Sequence, residues 1–198
     1  MKIKAIEAIC KQQRHIRLYN TARGQWISAG SAAYPLYSLP KLDEDGLLTI
    51  FDIPEDKRSK YYVEIGDKLP SAYDFSDASD GEAMLEIYPI EVSAYGGIVV
   101  PIVTSLGVVY INKKQLKPFD DIERGVDLYE RINDAGQLYI AVKDGFMLCG
   151  IILPLNIITK EFTEELCKLA DLTAVSYSNA QERGGQMDIT EVLELDEE

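Results

Sequence analysis

This chain of 198 residues predicts an α+β fold built mainly of antiparallel sheet, with a helix near each end. Three observations predict it. The second half is dense in β-type runs, Gly97 to Asn112 and then Val126 to Pro154, separated by one short polar segment. Turn signals such as Asn133-Asp134-Ala135-Gly136 and Asp144-Gly145 join successive runs as hairpins, without the long crossovers that parallel strands need. Apolar residues recur at helical spacing only near the start and beyond Lys160.

In chain order, Ile3, Ile6, Ile9 and Cys10 mark an amphipathic helix over residues 2–13. His15 to Asn20 alternates as a strand, Thr21-Ala22-Arg23-Gly24 turns it, and Gln25 to Ala29 returns beside it. Pro35 and Pro40 argue against a regular strand or helix over 31–42. Leu47 to Ile53, bounded by Asp45-Gly46 and Pro54, reads as the next strand, and residues 60–66 complete a meander. Residues 83–92 resume as a strand, with Pro89 confining part of it to an edge or a bulge. Val109 to Asn112 leads into a short helix through Leu116, and strands follow at 126–132, 137–143 and 146–155. Phe162, Leu166, Leu169 and Ala170 set a helix over 160–173, with Thr159 as its N-cap and Glu161, Glu164 and Glu165 near its positive end.

The acidic, proline- and serine-bearing segment 69–82 is the expected linker between an N-terminal α+β half (1–68) and a C-terminal β half with its closing helix (83–177). Residues 178–198, polar, glycine-broken and acid-ended, are expected to be a disordered tail. Trp26-Ile27-Ser28 with Pro35 echoes Tyr110-Ile111-Asn112 with Pro118, so the halves are either a duplication or a chance recurrence of a phrase common in β proteins.

Composition narrows the chemistry. Twenty Lys+Arg against 33 Asp+Glu give a net charge of −13, which repels nucleic acid; Lys11, Arg14, Arg17 and Arg23 near the start and Lys113, Lys114 and Lys117 in the middle are local exceptions, and direct nucleic-acid contact is expected only through the second group. No apolar run reaches the roughly 20 residues that span a bilayer, and residues 1–4 lack the start of a signal-peptide core, so a cytoplasmic protein is expected. Cys10, Cys149 and Cys167 have no metal or redox spacing, and a single histidine rules out paired-histidine sites. Phosphate-loop and dinucleotide-turn patterns are absent. Ser38-Leu39-Pro40-Lys41 matches a serine–lysine motif by letter, but Pro40 breaks the helical turn the chemistry requires. The acids at Asp74, Asp77, Asp80 and Glu82 miss the spacing of a calcium loop, with Ser76, Ala78 and Ile87 at three ligand positions. Glu55-Asp56-Lys57, with Asp43 or Asp45 upstream, forms half of a metal-dependent nuclease pattern, though Pro54 puts it outside a strand. No residue is assigned to catalysis, and neither a metal nor a cofactor is expected.

Three resemblances can be named. Trp26 through Ile53, together with Tyr110 through Pro118, resembles proteins carried by prophages and conjugative elements of Firmicutes, which implies a bacterial mobile-element setting. The order from Tyr110 to Ile157 is similar to the last repeat unit of bacterial sliding clamps, which implies a clamp-like fold and copies that assemble with one another. In the tail, Gln186, Ile189, Val192 and Leu193 resemble the short peptides that dock into such clamps, without their aromatic pair.

The function expected from these observations is that of a non-catalytic binding protein acting through protein contacts in the DNA metabolism of a mobile element. An acidic DNA mimic that inhibits a defence enzyme and a metal-dependent nuclease or hydrolase are the alternatives. Trp26, Tyr34 and Tyr37, around the proline-bounded loop, are the expected contact residues, since irregular aromatic segments often carry function.

Overall fold

The computed structural model describes residues 1–37, 39–94, 96–123 and 125–182. It has the expected α+β class: an N-terminal helix, a large and mainly antiparallel sheet, and a C-terminal helix. Residues 1–156 form one compact unit, and a second begins at Ile157. The segment 69–82 therefore lies inside a unit and does not divide two.

Helix α1 (Ile3–Gln13) buries Ile6, Ile9 and Cys10 on one side and stops at Arg14, whose left-handed backbone (φ 59°) lets its N–H bond the Cys10 carbonyl. Strands β1 (His15–Thr21) and β2 (Gly24–Ala29) pair as a hairpin, and the Thr21 hydroxyl donates to the Gly24 carbonyl across the turn. Strand β3 (Ala32–Pro35) falls where the two prolines argued against a strand. It is tolerated because Pro35, which has no N–H to donate, is the last residue of the strand, opposite Trp26.

The expected strand at 47–53 is instead helix α2 (Glu44–Ile50). Asp43 caps it by accepting from the Gly46 N–H, Glu44 and Asp45 occupy the first turn, and Leu47, Leu48 and Phe51 turn one apolar stripe inward. A single turn, α3 (Glu55–Arg58), follows. Strand β4 (Tyr62–Gly66) then lies parallel to β1, not antiparallel as a meander requires, because α2 and α3 carry the chain back to the starting end of β1.

The remaining strands are β5 (Ala83–Ile87), β6 (Val92–Ala94), β7 (Gly97–Thr104), β8 (Gly107–Asn112), β9 (Asp127–Ile132), β10 (Leu138–Asp144) and β11 (Met147–Ile152). The order across the sheet is β4-β1-β2-β3-β11-β10-β9-β5-β7-β6, with β8 on the free side of β7. Pairing of β3 with β11 runs the sheet from the first half of the sequence into the second. β5 and β6 share one edge of β7, and the segment between them, holding Pro89, departs from the ladder. The short helix after β8 is two consecutive 3₁₀ turns, Lys113–Gln115 and Lys117–Phe119.

One face of the sheet packs against α1 and α2 through Ile6, Leu18, Ile27, Tyr34, Leu47, Ile102 and Ile140. The other carries a smaller core of Trp26, Ala33, Tyr139, Ala141, Leu148 and Ile151, against which Leu69, Tyr73 and Phe75 pack. The acidic segment is thus a strap over the sheet. In the second unit, α4 runs from Lys160 to Glu182, past the expected end at 173 and into the expected tail, because Ala174, Val175, Ala180 and Gln181 do not break a helix.

Candidate functional site

The strap is anchored by charge. Arg131, on β9, is almost wholly buried and donates from Nε and Nη2 to one Glu82 oxygen, at 3.0 and 2.7 Å, and from Nη1 to the Asp74 and Ser76 carbonyls, both at 3.0 Å. Lys143, on β10, binds the other Glu82 oxygen and sits 4.6 Å from the centre of the Tyr129 ring. Burial pushes the Glu82 carboxyl up, but the hydrogen bonds from Lys143 and Arg131 outweigh it and hold the group below the usual range. The Tyr139 hydroxyl accepts from the Asp74 N–H, and the Asp77 carboxylate accepts from the Leu148 N–H. Of the acids tested against a calcium loop, Asp74, Asp77 and Glu82 are thus engaged in holding the strap. Among the described residues, no three His, Cys, Asp or Glu side chains gather as a metal site.

The residues singled out from sequence separate. Trp26 is 3% exposed, wedged edge-on against Phe75 and Tyr37, and Tyr34 is fully buried on the opposite face, donating to the Gln115 carbonyl. Both are core, which corrects their reading as contact residues: adjacent β-hairpin positions on the two faces of a covered sheet are both enclosed. Tyr37 is half exposed and borders a cleft of about 180 Å³ with Met1, Leu36, Ile122 and Cys149. Burial, then the charge of Asp77, raises its phenol.

Lys113 pairs with Glu91, Lys114 donates to Gln12, and Lys114 and Lys117 line a shallow groove against α1. Glu55 and Lys57 sit exposed on α3; Asp43 is spent on the α2 cap and Asp45 on Arg58. Gln186, Ile189, Val192 and Leu193 lie outside the described residues.

A site that the sequence reading did not single out lies where β5, β7 and β8 run side by side. Val103 opposes Glu86 on one side and Val108 on the other, and partners in an antiparallel ladder share a face. Met84 is two residues before Glu86 and points the same way. Met84, Val103, Leu106 and Val108 are 64%, 48%, 65% and 44% exposed. Such a grouping on one small sheet is an apolar patch of the kind that marks contact surfaces.

The tip of the patch is held rigid. Glu130 is only 6% exposed, and its carboxylate accepts from both the N–H and the hydroxyl of Ser105. Thr104 closes the other side of the turn by donating to the Gly107 carbonyl. A carboxylate buried against a turn hydroxyl and amide fixes that turn, so Leu106 is presented without the loss of loop freedom that binding otherwise costs. The run from Gly97 to Asn112 hid this face, because a continuous apolar run reads as a strand covered on both sides.

Among the described residues, no helix is long and apolar enough to cross a membrane. Compared with protein-family models, with curated proteins and with solved structures, the chain matches none.

Proposed function

We propose that this chain is a non-catalytic binding protein that works through protein contacts made by the outer face of β5, β7 and β8. The observation that carries the reading is the exposure of Met84, Val103, Leu106 and Val108 around a turn locked by Glu130. Water-exposed apolar side chains on a rigid scaffold gain free energy when a partner covers them, and little conformational entropy is lost in the process. The buried charges beneath the strap are consistent with the same reading, since Arg131, Lys143 and Glu82 are taken up in holding it down. The setting proposed is the cytoplasm and the DNA metabolism of a mobile element. In the clamp-like form of the proposal, copies of the chain assemble into a ring.

A photo-crosslinking amino acid at Leu106, with an exposed control at Lys57, tests it in the host cell. Crosslinks to a defined partner at Leu106 and none at Lys57 are expected. Equal crosslinking at both positions, or none at either, refutes the reading. Mass by light scattering tests the ring: a salt-resistant multiple of the chain is its expected signature, and a clean monomer removes it.

A further inference from the structure

From Leu69 to Asn112 the chain contains no Lys, Arg or His, yet it includes Asp74, Asp77, Asp80, Glu82, Glu86 and Glu91. Three of these acids are neutralised inside the strap or at its rim: Glu82 and Asp74 by Arg131, and Asp77 by Arg23. Glu91 is met by Lys113. Glu86 is different. It lies exposed on the apolar face itself, beside Val103 and two residues from Met84. The register that pairs Met84 with Tyr129 and Leu85 with Leu128 brings Glu86 to the level of Asp127, which is also exposed. Neither acid has an ion-pair partner among the described residues: β5, β7 and β8 carry no cation there, and Lys143, which stands opposite Asp127 on β10, is taken up by Glu82.

We infer that the occupant of this face, resting on the binding reading above, is a basic segment of a partner protein that offers an apolar anchor to Leu106, Val103 and Val108 and a Lys or Arg to Glu86 and Asp127. The apolar centre supplies the free energy, and the two carboxylates at its rim select the sign of the partner and speed the encounter. A second copy of this chain is disfavoured as the occupant. Pairing this face with itself would set the Glu86 and Asp127 carboxylates of two copies against each other at the rim.

The experiment is an amide NMR titration of the full chain with two synthetic peptides, one alternating Leu and Lys and the other alternating Leu and Glu. The Leu–Lys peptide is expected to shift the amides of Met84, Glu86, Val103, Leu106, Val108 and Asp127, and to bind more weakly as salt is added. The double variant Glu86→Gln, Asp127→Asn is expected to lower its affinity about three- to tenfold, the range for two rim charges. Leu106→Asp is expected to abolish the shifts while leaving the rest of the spectrum unchanged. Equal binding of both peptides on this face overturns the basic partner and leaves the binding reading standing. Shifts centred elsewhere, such as on Glu44 to Asp56, overturn it as well. So does a doubled mass that Leu106→Asp reverts, which would identify a second copy. Absence of binding on this face together with absent crosslinks at Leu106 removes both the inference and the reading beneath it.

Discussion

Replacing Arg131 with Met removes the guanidinium that ties the strap to the sheet. It takes away both bonds to Glu82 and those to the Asp74 and Ser76 carbonyls, while filling most of the same volume. Removing one partner of a buried ion pair costs about 3–5 kcal/mol, because the other charge is left uncompensated. Here Lys143 still holds Glu82, and the two carbonyls lie on a segment that water can reach, so the lower end, about 3 kcal/mol, applies. For a chain of this size that corresponds to a fall of about 6–12 °C in Tm. Urea denaturation gives the free energy, and hydrogen exchange read by mass spectrometry locates it. Exchange should quicken first across residues 69–82. A loss under about 1 kcal/mol, the size of an exposed ion pair, would refute the view that this cluster is an anchor. Global destabilisation without faster exchange in the strap would refute its location.

The same cluster sets an acid response. Glu82 has a folded pKa below its ordinary value of 4.5, so its contribution is fully present above that value and is lost as pH falls through the folded pKa. Exchange across 69–82 is expected to rise on acidification below about pH 4.5 in the native chain, and in Glu82→Gln to be already fast at neutral pH. Gly150→Ala would place a Cβ 2.8 Å from Phe119 Cζ and 3.2 Å from the Ala33 carbonyl. It should cost about 1–3 kcal/mol, and adding Phe119→Leu should restore part of it in urea melts. Trp26→Ala should cost about 3–5 kcal/mol as a core deletion, whereas Tyr37→Ala, on a half-exposed side chain, should cost about 1 kcal/mol or less. Equal losses at the two positions would contradict their placement.

Much of the fold can be read from local chemistry. The α1 stripe of Ile6, Ile9 and Cys10, the β1–β2 turn at Thr21 to Gly24, and the hairpins from β9 to β11 follow from periodicity and turn residues that act over a few positions. Leu47 to Ile53 misled because a short apolar run fits a strand and a helix equally well. Asp43 as a cap, with Glu44 and Asp45 behind it, is the local signal that identifies the helix. Tyr34 and Trp26 could be recognised as large and apolar, but not as enclosed, since enclosure depends on α1 and on a strap from a distant part of the chain.

The candidate site was the least legible part. Val103, Leu106 and Val108 have the same residue types as their buried neighbours Val100 and Ile102, and nothing within the run distinguishes them. The sequence by itself determined the class, the hairpins, the terminal helices and the net charge, because these depend on residues near one another or on simple sums. Only the tertiary structure decided that β3 meets β11, that β4 runs parallel to β1, and that the acidic segment 69–82 folds back onto Arg131 and Lys143. Those are choices among distant partners, set by which faces can be covered at once and by which buried charges find their opposites. The exposed side chains of Met84, Val103, Leu106 and Val108 are what that arrangement leaves over among the described residues of the first unit.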